Sequence, residues 1–246
     1  MKIPDAGPAP VTDLHAADWV VDELTGTTLT VGSLLPTRFD HCARILHPAQ
    51  KTSEADPRQA EWVSWSEVAA ANGRVIHSQV QFKAIVGERF YQQGSQTSVW
   101  DQAPSLGTLP SHTADALLRV LMRHTDSESF WFGLWYGYGT RAFDIERFPR
   151  FRVPGREYVL LRGPGWGANE SFGLAPNRVT PSLWWPDDRA WFVTLDPDLD
   201  STYVGCLSRD CLDDLLRAKD LETLEARRTD GITWASDLIN GAGPGA

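Results

Sequence analysis

The final third of this 246-residue chain combines two short apolar runs, an acidic turn and an amphipathic segment. Residues 190–196, AWFVTLD, and 201–206, STYVGC, are rich in the β-branched and aromatic residues that favour strands. A helix is predicted to begin at Ser208 and to end near Ala226. Its core-facing stripe consists of Leu212, Leu215 and Leu216. Two strands followed by a helix that must bury one face restrict the fold to helices packed on a sheet.

The rest of the chain mixes the two kinds of element. Helices are predicted at 13–24, 61–73 and 111–125. Extended segments are predicted at 27–36, 38–49, 74–86, 129–139 and 156–164. Because strands and helices do not alternate strictly, and because residues 163–186 are expected to be rich in loops, we predict an α+β fold. Its sheet is mainly antiparallel or mixed, a few helices pack against it, and the helix at 111–125, with Ser111 as its N-cap, covers one face.

The length suits one large domain or two small ones. We predict a single α+β domain over residues 11–240, with flexible tails at 1–10 and 241–246. The alternative is two lobes divided near residues 95–110, inside the stretch 91–110, which is expected to be unstructured.

Composition limits the class of protein. The apolar fraction of 42% and the charged fraction of 22% are typical of a globular domain. No run approaches the eighteen or so apolar residues of a membrane span, and the first residues, MKIPDAGPAP, lack the apolar core of a signal peptide. Three cysteines without metal-type spacing indicate a reducing compartment. We therefore expect a cytoplasmic protein that does not interact with membranes.

Negative charge is concentrated near the C-terminus. Residues 187–230 hold 12 Asp and Glu against 6 Lys and Arg, a net charge of −6 within a total of −9. Such a surface repels phosphate backbones and attracts basic proteins. We therefore predict no nucleic-acid partner and a partner surface for a basic protein. Its candidate residues are Asp187, Asp188, Asp210, Asp213 and Asp214. The alternative is a solvated face that only keeps the protein in solution.

Two motifs that suggest a metal or a nucleotide are incomplete. Asp196, Asp198 and Asp200 match the first positions of a calcium loop, but Ser201 replaces the Gly of the sixth position and Leu207 the Glu of the twelfth. A strand that ends in a polar turn explains them better. GPGWGA at 163–168 fits a loose dinucleotide pattern but is not followed by a helical period. No metal and no organic cofactor is predicted.

Reactive side chains occur together in HCARILH at 41–47. On a strand, Cys42 and Arg44 point away from His41, Ala43 and Ile45, which argues against a Cys–His catalytic pair. A buried Cys42 with hydrogen-bonded imidazoles is the simpler interpretation. The aromatic run FWFGLWYGYG is likewise interpreted as core packing, because a base-stacking platform needs a basic groove. No catalytic residue is predicted.

Two segments carry a resemblance to known proteins: 29–49, LTVGSLLPTRFDHCARILHPA, and 182–226, SLWWPDDRAWFVTLDPDLDSTYVGCLSRDCLDDLLRAKDLETLEA. Both resemble actinobacterial proteins without an assigned function. The final strand–turn–strand–helix is similar to immunity proteins of bacterial toxin systems, which implies a non-enzymatic, antitoxin-type protein that binds its partner through the acidic surface. The alternative function is a small-molecule enzyme with a pocket near Arg44, His47 and Arg162.

Overall fold

The computed structural model describes residues 7–53, 60–139, 144–174 and 177–241. The α-helices of this part of the chain are α1 (Asp18–Glu23), α2 (Trp65–Ala71), α3 (Phe82–Val86), α4 (Glu88–Gln93), α5 (Ser111–Leu121) and α6 (Arg209–Arg217). Its strands are β1 (Ala9–Pro10), β2 (His41–Leu46), β3 (Ala49–Thr52), β4 (Ala60–Val63), β5 (Phe130–Trp135), β6 (Arg150–Val153), β7 (Arg156–Gly163), β8 (Leu183–Pro186), β9 (Trp191–Thr194), β10 (Ser201–Cys206) and β11 (Thr223–Ala226).

Nine of these strands form one sheet in the order β1-β7-β5-β8-β9-β10-β2-β11, with β6 paired to β7 beside this path. All neighbours are antiparallel. The strands β3 and β4 form a separate two-stranded sheet. The predicted α+β fold with a mainly antiparallel sheet is therefore confirmed. No helix among the described residues has both the length and the apolar character needed to cross a bilayer.

The helices α5 and α6 cover one face of the large sheet. We call the apolar layer between these two helices and the sheet the helix-side core. Alternate residues of the central strands point into this layer, among them Phe132, Trp191 and Val204. The helices contribute Leu117 and Leu215, both fully buried. As predicted, the helix at 111–121 packs on one face and Ser208 caps α6, its hydroxyl accepting the Cys211 N–H at 3.2 Å. Ser111 is the first helical residue and Pro110 occupies the N-cap instead.

The opposite face carries a second core formed with α1 and the segment that follows it. Trp185 and Phe192 stack on this face with ring centroids 5.7 Å apart, and Trp19 meets both edge-on. Aromatic pairs of this geometry add stability beyond the area that they bury. The aromatic-rich strands therefore serve packing on both faces of the sheet.

A third apolar cluster surrounds Trp65, Phe82 and Trp100, all almost completely buried. The helix α2 begins with a capping box in which Ser64 and Glu67 bond each other's backbone N–H. It ends as expected at Asn72 and Gly73, where Gly73 has a φ of 63°. The Trp65 indole donates to the His47 carbonyl at 2.7 Å, so this cluster is attached to the end of β2.

The expectation that residues 91–110 are unstructured is wrong. Gln96 bridges to Trp100, and Gln102 bridges to Gln50 of β3. Gly107, with a φ of 62°, donates its N–H to Leu199 at 2.9 Å and lies so close to Pro197 that a Cβ would come within 2.5 Å of that backbone. This segment is therefore packed against the acidic turn between β9 and β10.

Four other segments differ from the predicted elements. Residues 74–86 were expected to form a strand but contain turns and then α3. Residues 27–36 form a bridge at Thr30 and a 3₁₀ turn instead of a strand. The loop-rich 163–186 contains β8, and the end of the predicted helix 208–226 is the strand β11. In each case contacts with distant parts of the chain override the local pattern.

The predicted tails lie mostly outside the described residues. Ala9 and Pro10, inside the expected N-terminal tail, pair with Arg162 and Leu161 of β7. Val11 then donates its N–H to the Leu160 carbonyl at 3.0 Å. Only residue 241 of the expected C-terminal tail is described.

Candidate functional site

A cavity of about 700 Å³ opens at the end of the sheet where β9 gives way to the acidic turn. Its floor is formed by side chains of the sheet face opposite α5 and α6, including Tyr158, Leu183 and Thr194. Its walls are formed by four segments that are distant in sequence: 24–34, 81–91, 153–156 and 196–200. Residues 232–234 complete its mouth. The residues that line the cavity are thus spread along the sequence from residue 24 to residue 234.

The acidic turn forms one wall of the cavity. Arg156 at the start of β7 donates from Nη2 to Asp196 Oδ1 at 3.1 Å and also bonds Asp198. The Asp198 N–H donates to Asp196 Oδ1 at 2.9 Å, which confirms the interpretation of this stretch as a polar turn that follows a strand. The guanidinium of Arg156 lies 5.3 Å from the centre of the Trp135 ring. Two of the three carboxylates in this wall therefore share one arginine as their ion-pair partner.

Asp200 is the third carboxylate, and it differs from the other two. It lies in contact with the cavity, and no described Lys, Arg or His lies within salt-bridge distance of it. The Ser201 hydroxyl donates a long hydrogen bond to Asp200 Oδ1 at 3.4 Å. Burial raises the pKa of Asp200 above its usual value, and the charge of Arg44 opposes that rise. Asp200 is partly exposed, and it borders the cavity.

Arg44 lies near Asp200, and its guanidinium hydrogen-bonds residues of the fold. Its Nε donates to the Ser201 hydroxyl at 3.0 Å, and its Nη1 donates to the carbonyls of Ser78 and Val80 at 3.2 and 2.7 Å. The guanidinium also lies over the rings of Trp65 and Tyr203, at 5.4 and 5.9 Å. It leaves only 2% of its surface exposed and does not line the cavity. Arg44 is therefore a structural residue whose positive charge acts on Asp200 without lining the cavity.

Two buried polar side chains on the cavity surface each have an oxygen without a hydrogen-bond partner among the described residues. Tyr158 is 3% exposed, and no described residue hydrogen-bonds its hydroxyl. Burial raises the pKa of this phenol, and the negative charge of Asp196 raises it further. Gln81 is 8% exposed; its Nε2 donates to the Gln79 carbonyl at 3.3 Å, while its Oε1 accepts no hydrogen bond from the described residues. Buried polar groups normally have partners, so these two atoms are available to a ligand.

The mouth of the cavity holds an ammonium group between two aromatic rings. Lys83 Nζ lies 5.5 Å from the centre of the Tyr91 ring and 5.1 Å from that of Trp234. The same atom pairs with Glu88 Oε2 at 2.8 Å. Trp234 is 70% exposed, and Tyr91 is 47% exposed. A cation is thus already accommodated by aromatic side chains at this entrance.

The pocket expected near Arg44, His47 and Arg162 does not form. His47 is fully buried: its Nδ1 lies 2.6 Å from the Ser105 carbonyl, and its Nε2 lies 2.9 Å from the Thr202 hydroxyl. Because a carbonyl can only accept, Nδ1 carries the proton and Nε2 accepts from Thr202. Arg162 lies on β7, separated from β2 by four strands. The three side chains do not share a site.

The neighbouring reactive side chains are also explained by packing. Cys42 is buried, and burial raises the pKa of its thiol to about 11, so it is protonated at neutral pH. Cys206 and Cys211 are buried free thiols as well. GPGWGA lies in a connection that contains a five-residue 3₁₀ turn, Gly165–Asn169, instead of the α-helix that a dinucleotide would require. Among the described residues no group of three or more His, Cys, Asp and Glu is arranged to hold a metal ion.

The structure brings part of the predicted acidic surface together. Asp188 accepts from the Thr125 hydroxyl at 2.7 Å, and Asp214 pairs with His124 at 3.0 Å, so both contact one short segment after α5. Asp187, in the same turn as Asp188, accepts from the Trp131 indole at 2.5 Å. Three of the five candidate residues therefore surround residues 123–131.

Arginines neutralise much of this surface. Asp187 pairs with Arg162 at 3.5 Å, and Asp213 pairs with Arg209 at 2.8 Å. Asp214 pairs with Arg217 at 2.9 Å and with Arg123 at 3.2 Å, and the pKa of Asp214 is lowered by its hydrogen bonds from Arg217 and His124. Asp210 is exposed in the first turn of α6 and has no ion-pair partner among the described residues. Asp188 is exposed too and has no ion pair among the described residues, but it accepts hydrogen bonds from the Thr125 hydroxyl and from two backbone N–H groups. Of the five, Asp210 therefore has the exposed carboxylate that is least engaged by its surroundings.

A second, shallower cavity of about 410 Å³ lies between the ends of α5 and α6. Its charged residues are Arg119, Arg123, Arg217, Lys219, Asp214 and Asp220. Arg119 pairs with Asp220 at 3.2 Å. Basic side chains at helix C-termini are favoured by the helix dipole, which accounts for their presence here.

Sequence reasoning located the acidic turn but not the cavity beside it. The sequence shows a carboxylate at every second position of the turn. It does not show that Arg156, about forty residues away, pairs with Asp196 and Asp198 but not with Asp200. Tyr158 lies in a strand whose composition indicates only packing. No local signal identifies either residue as part of a site.

No protein-family model, curated protein or solved structure gives a significant match to this chain. The functional proposals therefore depend on the geometry and chemistry of its own residues.

Proposed function

We propose that this protein binds a small molecule in the cavity beside the acidic turn, with Asp200 and Tyr158 as the principal polar contacts. The observation that carries the proposal is a cavity of about 700 Å³ bordered by a buried tyrosine hydroxyl without a partner among the described residues. Ligand sites are typically concave, with volumes of roughly 300–1,000 Å³.

The lining has the composition of a ligand site. Apolar surface comes from side chains such as Phe82, Leu183 and Ile232, and a few polar groups converge on it. A tyrosine hydroxyl buried in a core would normally find an acceptor. Tyr158 lines the cavity and its hydroxyl has no partner among the described residues, so a ligand in the cavity can supply one.

Asp200 also supports chemistry on such a ligand. Burial raises the pKa of this carboxyl, which is the direction that favours a general acid or base at neutral pH. The small-molecule enzyme is therefore retained as part of this proposal. Its site is centred on Asp200 and Tyr158, because Arg44, His47 and Arg162 do not share a pocket.

Fragment binding followed by NMR tests the proposal. A mixture of neutral, cationic and anionic fragments is added to ¹⁵N-labelled protein, and we expect shifts to concentrate at residues 81–83, 156–158 and 194–200. Tyr158→Phe should weaken binding without loss of stability, because the hydroxyl has no partner among the described residues. Tyr138→Phe is the matched control, since that hydroxyl donates to the Gly107 carbonyl at 3.2 Å and does not line the cavity. Shifts confined to other regions, or their absence, would contradict a ligand site here.

A second proposed function is the antitoxin-type binding of a basic protein. It is supported by the net charge of −6 over residues 187–230, by the exposed and unpaired Asp210, and by the resemblance of the final strand–turn–strand–helix to immunity proteins. A charged surface of this kind steers a partner of opposite sign and is screened by salt.

Association with a basic probe protein tests this second function. The rate should fall as salt rises, and Asp210→Lys should lower it at low salt. The protein should stay folded, with a loss of about 1 kcal/mol because Asp210 lies in the first turn of α6. Asp214 is a poorer choice for charge reversal because it pairs with Arg123, His124 and Arg217. A rate that is indifferent to salt and to Asp210→Lys would leave only a solvated acidic face.

We also propose that the protein works in a reducing, cytoplasmic setting. Support comes from the three cysteines, which are all free and buried.

A further inference from the structure

We infer that the ligand of the cavity is an organic cation, a primary amine or a related ammonium compound, whose positive charge pairs with Asp200 and whose remaining polar group bonds Tyr158. This inference rests on the proposed small-molecule function and adds the chemical class of the ligand.

The charges that line the cavity do not cancel. Arg156 pairs with both Asp196 and Asp198, and Lys83 pairs with Glu88 at the mouth. Asp200 has no such partner among the described residues, although it lies in the same wall. Burying an unpaired carboxylate is unfavourable, and a cation in the cavity removes that cost. An anionic ligand would increase it.

The charged groups that face Asp200 do not supply this cation. Arg44 acts from behind but directs its guanidinium to the Ser201 hydroxyl and to two carbonyls. Tyr203 lies nearby with a pKa that burial raises, so it is neutral at physiological pH. On the cavity side, Arg156 is held by Asp196 and Asp198. A cationic group of the ligand is therefore stabilised most strongly when it lies in the cavity next to the Asp200 carboxylate.

The entrance is already compatible with an ammonium group. Lys83 Nζ lies 5.1 Å from the centre of the Trp234 ring, and both residues line the cavity. Aromatic faces attract cations, more strongly where water is partly excluded. Because Lys83 is paired with Glu88 and Trp234 is 70% exposed, a cationic ligand can contact the part of the Trp234 ring that Lys83 leaves uncovered.

The buried polar groups provide the second half of the recognition. The Tyr158 hydroxyl and Gln81 Oε1 border the cavity and have no partner among the described residues. The amide oxygen accepts a hydrogen bond from an N–H, which suits an amine. The hydroxyl can donate or accept. Asp200, Gln81 Oε1 and the Tyr158 hydroxyl thus offer more hydrogen-bond acceptors than donors to the ligand.

Three probes of nearly equal size and different charge test the inference: benzylamine, benzyl alcohol and benzoate. Their dissociation constants are measured at neutral pH from the shifts of cavity residues. We expect benzylamine to bind on the order of tenfold more tightly than the other two, because charge-assisted hydrogen bonds are the stronger ones. In Asp200→Asn this preference should disappear, whereas Asp210→Asn, which removes an exposed carboxylate outside the cavity, should retain it.

The wild-type protein gives an independent measurement. The affinity for benzylamine should fall as the pH is lowered through the pKa of Asp200, because protonation removes the charge that attracts the amine. The affinity for benzyl alcohol should stay constant over the same range.

The outcomes separate the two proposals. Equal or tighter binding of benzyl alcohol or benzoate in the cavity would overturn the cationic ligand and leave the small-molecule site in place. The cationic ligand is equally overturned if the fragment mixture binds in the cavity but benzylamine does not. If no fragment of any charge binds there, both proposals fail.

Discussion

Arg156 donates from Nη2 to Asp196 Oδ1 over 3.1 Å, and this pair connects the start of β7 to the turn between β9 and β10. The same nitrogen bonds Asp198, so one guanidinium fixes the conformation of the acidic turn. Both members of the pair are largely shielded, with side-chain exposures of 26% and 16%. The pairing determines which carboxylate of the turn, Asp200, remains available to a ligand.

Removal of this arginine should destabilise the fold measurably. Arg156→Met leaves two carboxylates without a counter-charge, and we expect the free energy of unfolding in urea to fall by about 1–3 kcal/mol. Arg162→Met is the matched control. Its pair with Asp187 spans 3.5 Å, and both side chains are about half exposed, so the expected loss is below about 1 kcal/mol. Equal losses for the two variants would show that the acidic turn does not depend on Arg156.

His47 should make stability depend on pH. Desolvation lowers the pKa of this imidazole to about 4, and the charge of Arg44 adds to the effect, although the hydrogen bond to Ser105 opposes it. Because the unfolded chain takes up the proton near pH 6.5, the stabilisation is complete above that pH and is lost as the pH falls towards 4. The loss should amount to about 3 kcal/mol.

Urea unfolding at a series of pH values measures this effect, with His47→Gln as the comparison. The variant should be less stable at neutral pH but should lack this part of the decline. If the wild type and the variant decline in parallel between pH 6.5 and 4, His47 does not remain neutral in the folded protein.

Asp200→Asn should stabilise the protein in the absence of a ligand. Since burial raises the pKa of the folded-state carboxyl, its charged form destabilises the native state at neutral pH. We expect a gain on the order of 1 kcal/mol at about pH 7. The gain should begin to shrink as the pH falls through the raised folded-state pKa and should vanish near the usual aspartate pKa, where the unfolded chain is protonated as well. Thermal unfolding at several pH values gives the comparison, and a destabilised variant at neutral pH would argue that the carboxylate has a structural partner.

The segment 91–110 should resist proteases in the native protein. Trp100 is fully buried against Phe82, with ring centroids 5.2 Å apart, and Gly107 lies against Pro197. Trp100→Ala should reduce stability by about 3–5 kcal/mol and open this segment to cleavage. Limited proteolysis of the wild type that gives two stable fragments cut near 95–110 would favour two lobes over a single domain.

Sequence patterns predicted the elements whose stability is local. The helix at 111–121 has a wide apolar stripe, α2 has a cap and a Gly stop, and β9 and β10 are apolar runs bounded by polar turns. In these segments propensity, periodicity and termini agree. The class of fold follows from their order along the chain.

The segments that were predicted wrongly are stabilised by distant side chains. The turn around Ser78 and Val80, expected to be a strand, has its carbonyls bonded by Arg44 of β2. The end of the predicted helix 208–226 pairs instead with β2, where Leu224 lies opposite Arg44. Neither contact has a signal within its own window of sequence.

The candidate site was predicted only in part for the same reason. The three aspartates were predicted to lie in a polar turn after a strand, and the structure has such a turn, in which the Asp198 N–H donates to Asp196 Oδ1. Their division into two paired carboxylates and one unpaired carboxylate depends on Arg156, and the cavity depends on five segments that meet only in the folded chain. The spacing of aspartates within a turn predicts neither their pairing with Arg156 nor the presence of a cavity.

The most direct test of the ligand site is the pKa of Asp200, measured from its carboxyl ¹³C shift during a pH titration with and without benzylamine. We expect a pKa above the usual value for aspartate in the free protein, because burial disfavours the carboxylate more than the charge of Arg44 favours it. Benzylamine should lower this pKa, since a bound cation stabilises the charged form. A normal pKa that does not change on addition of benzylamine would contradict a cation site at Asp200.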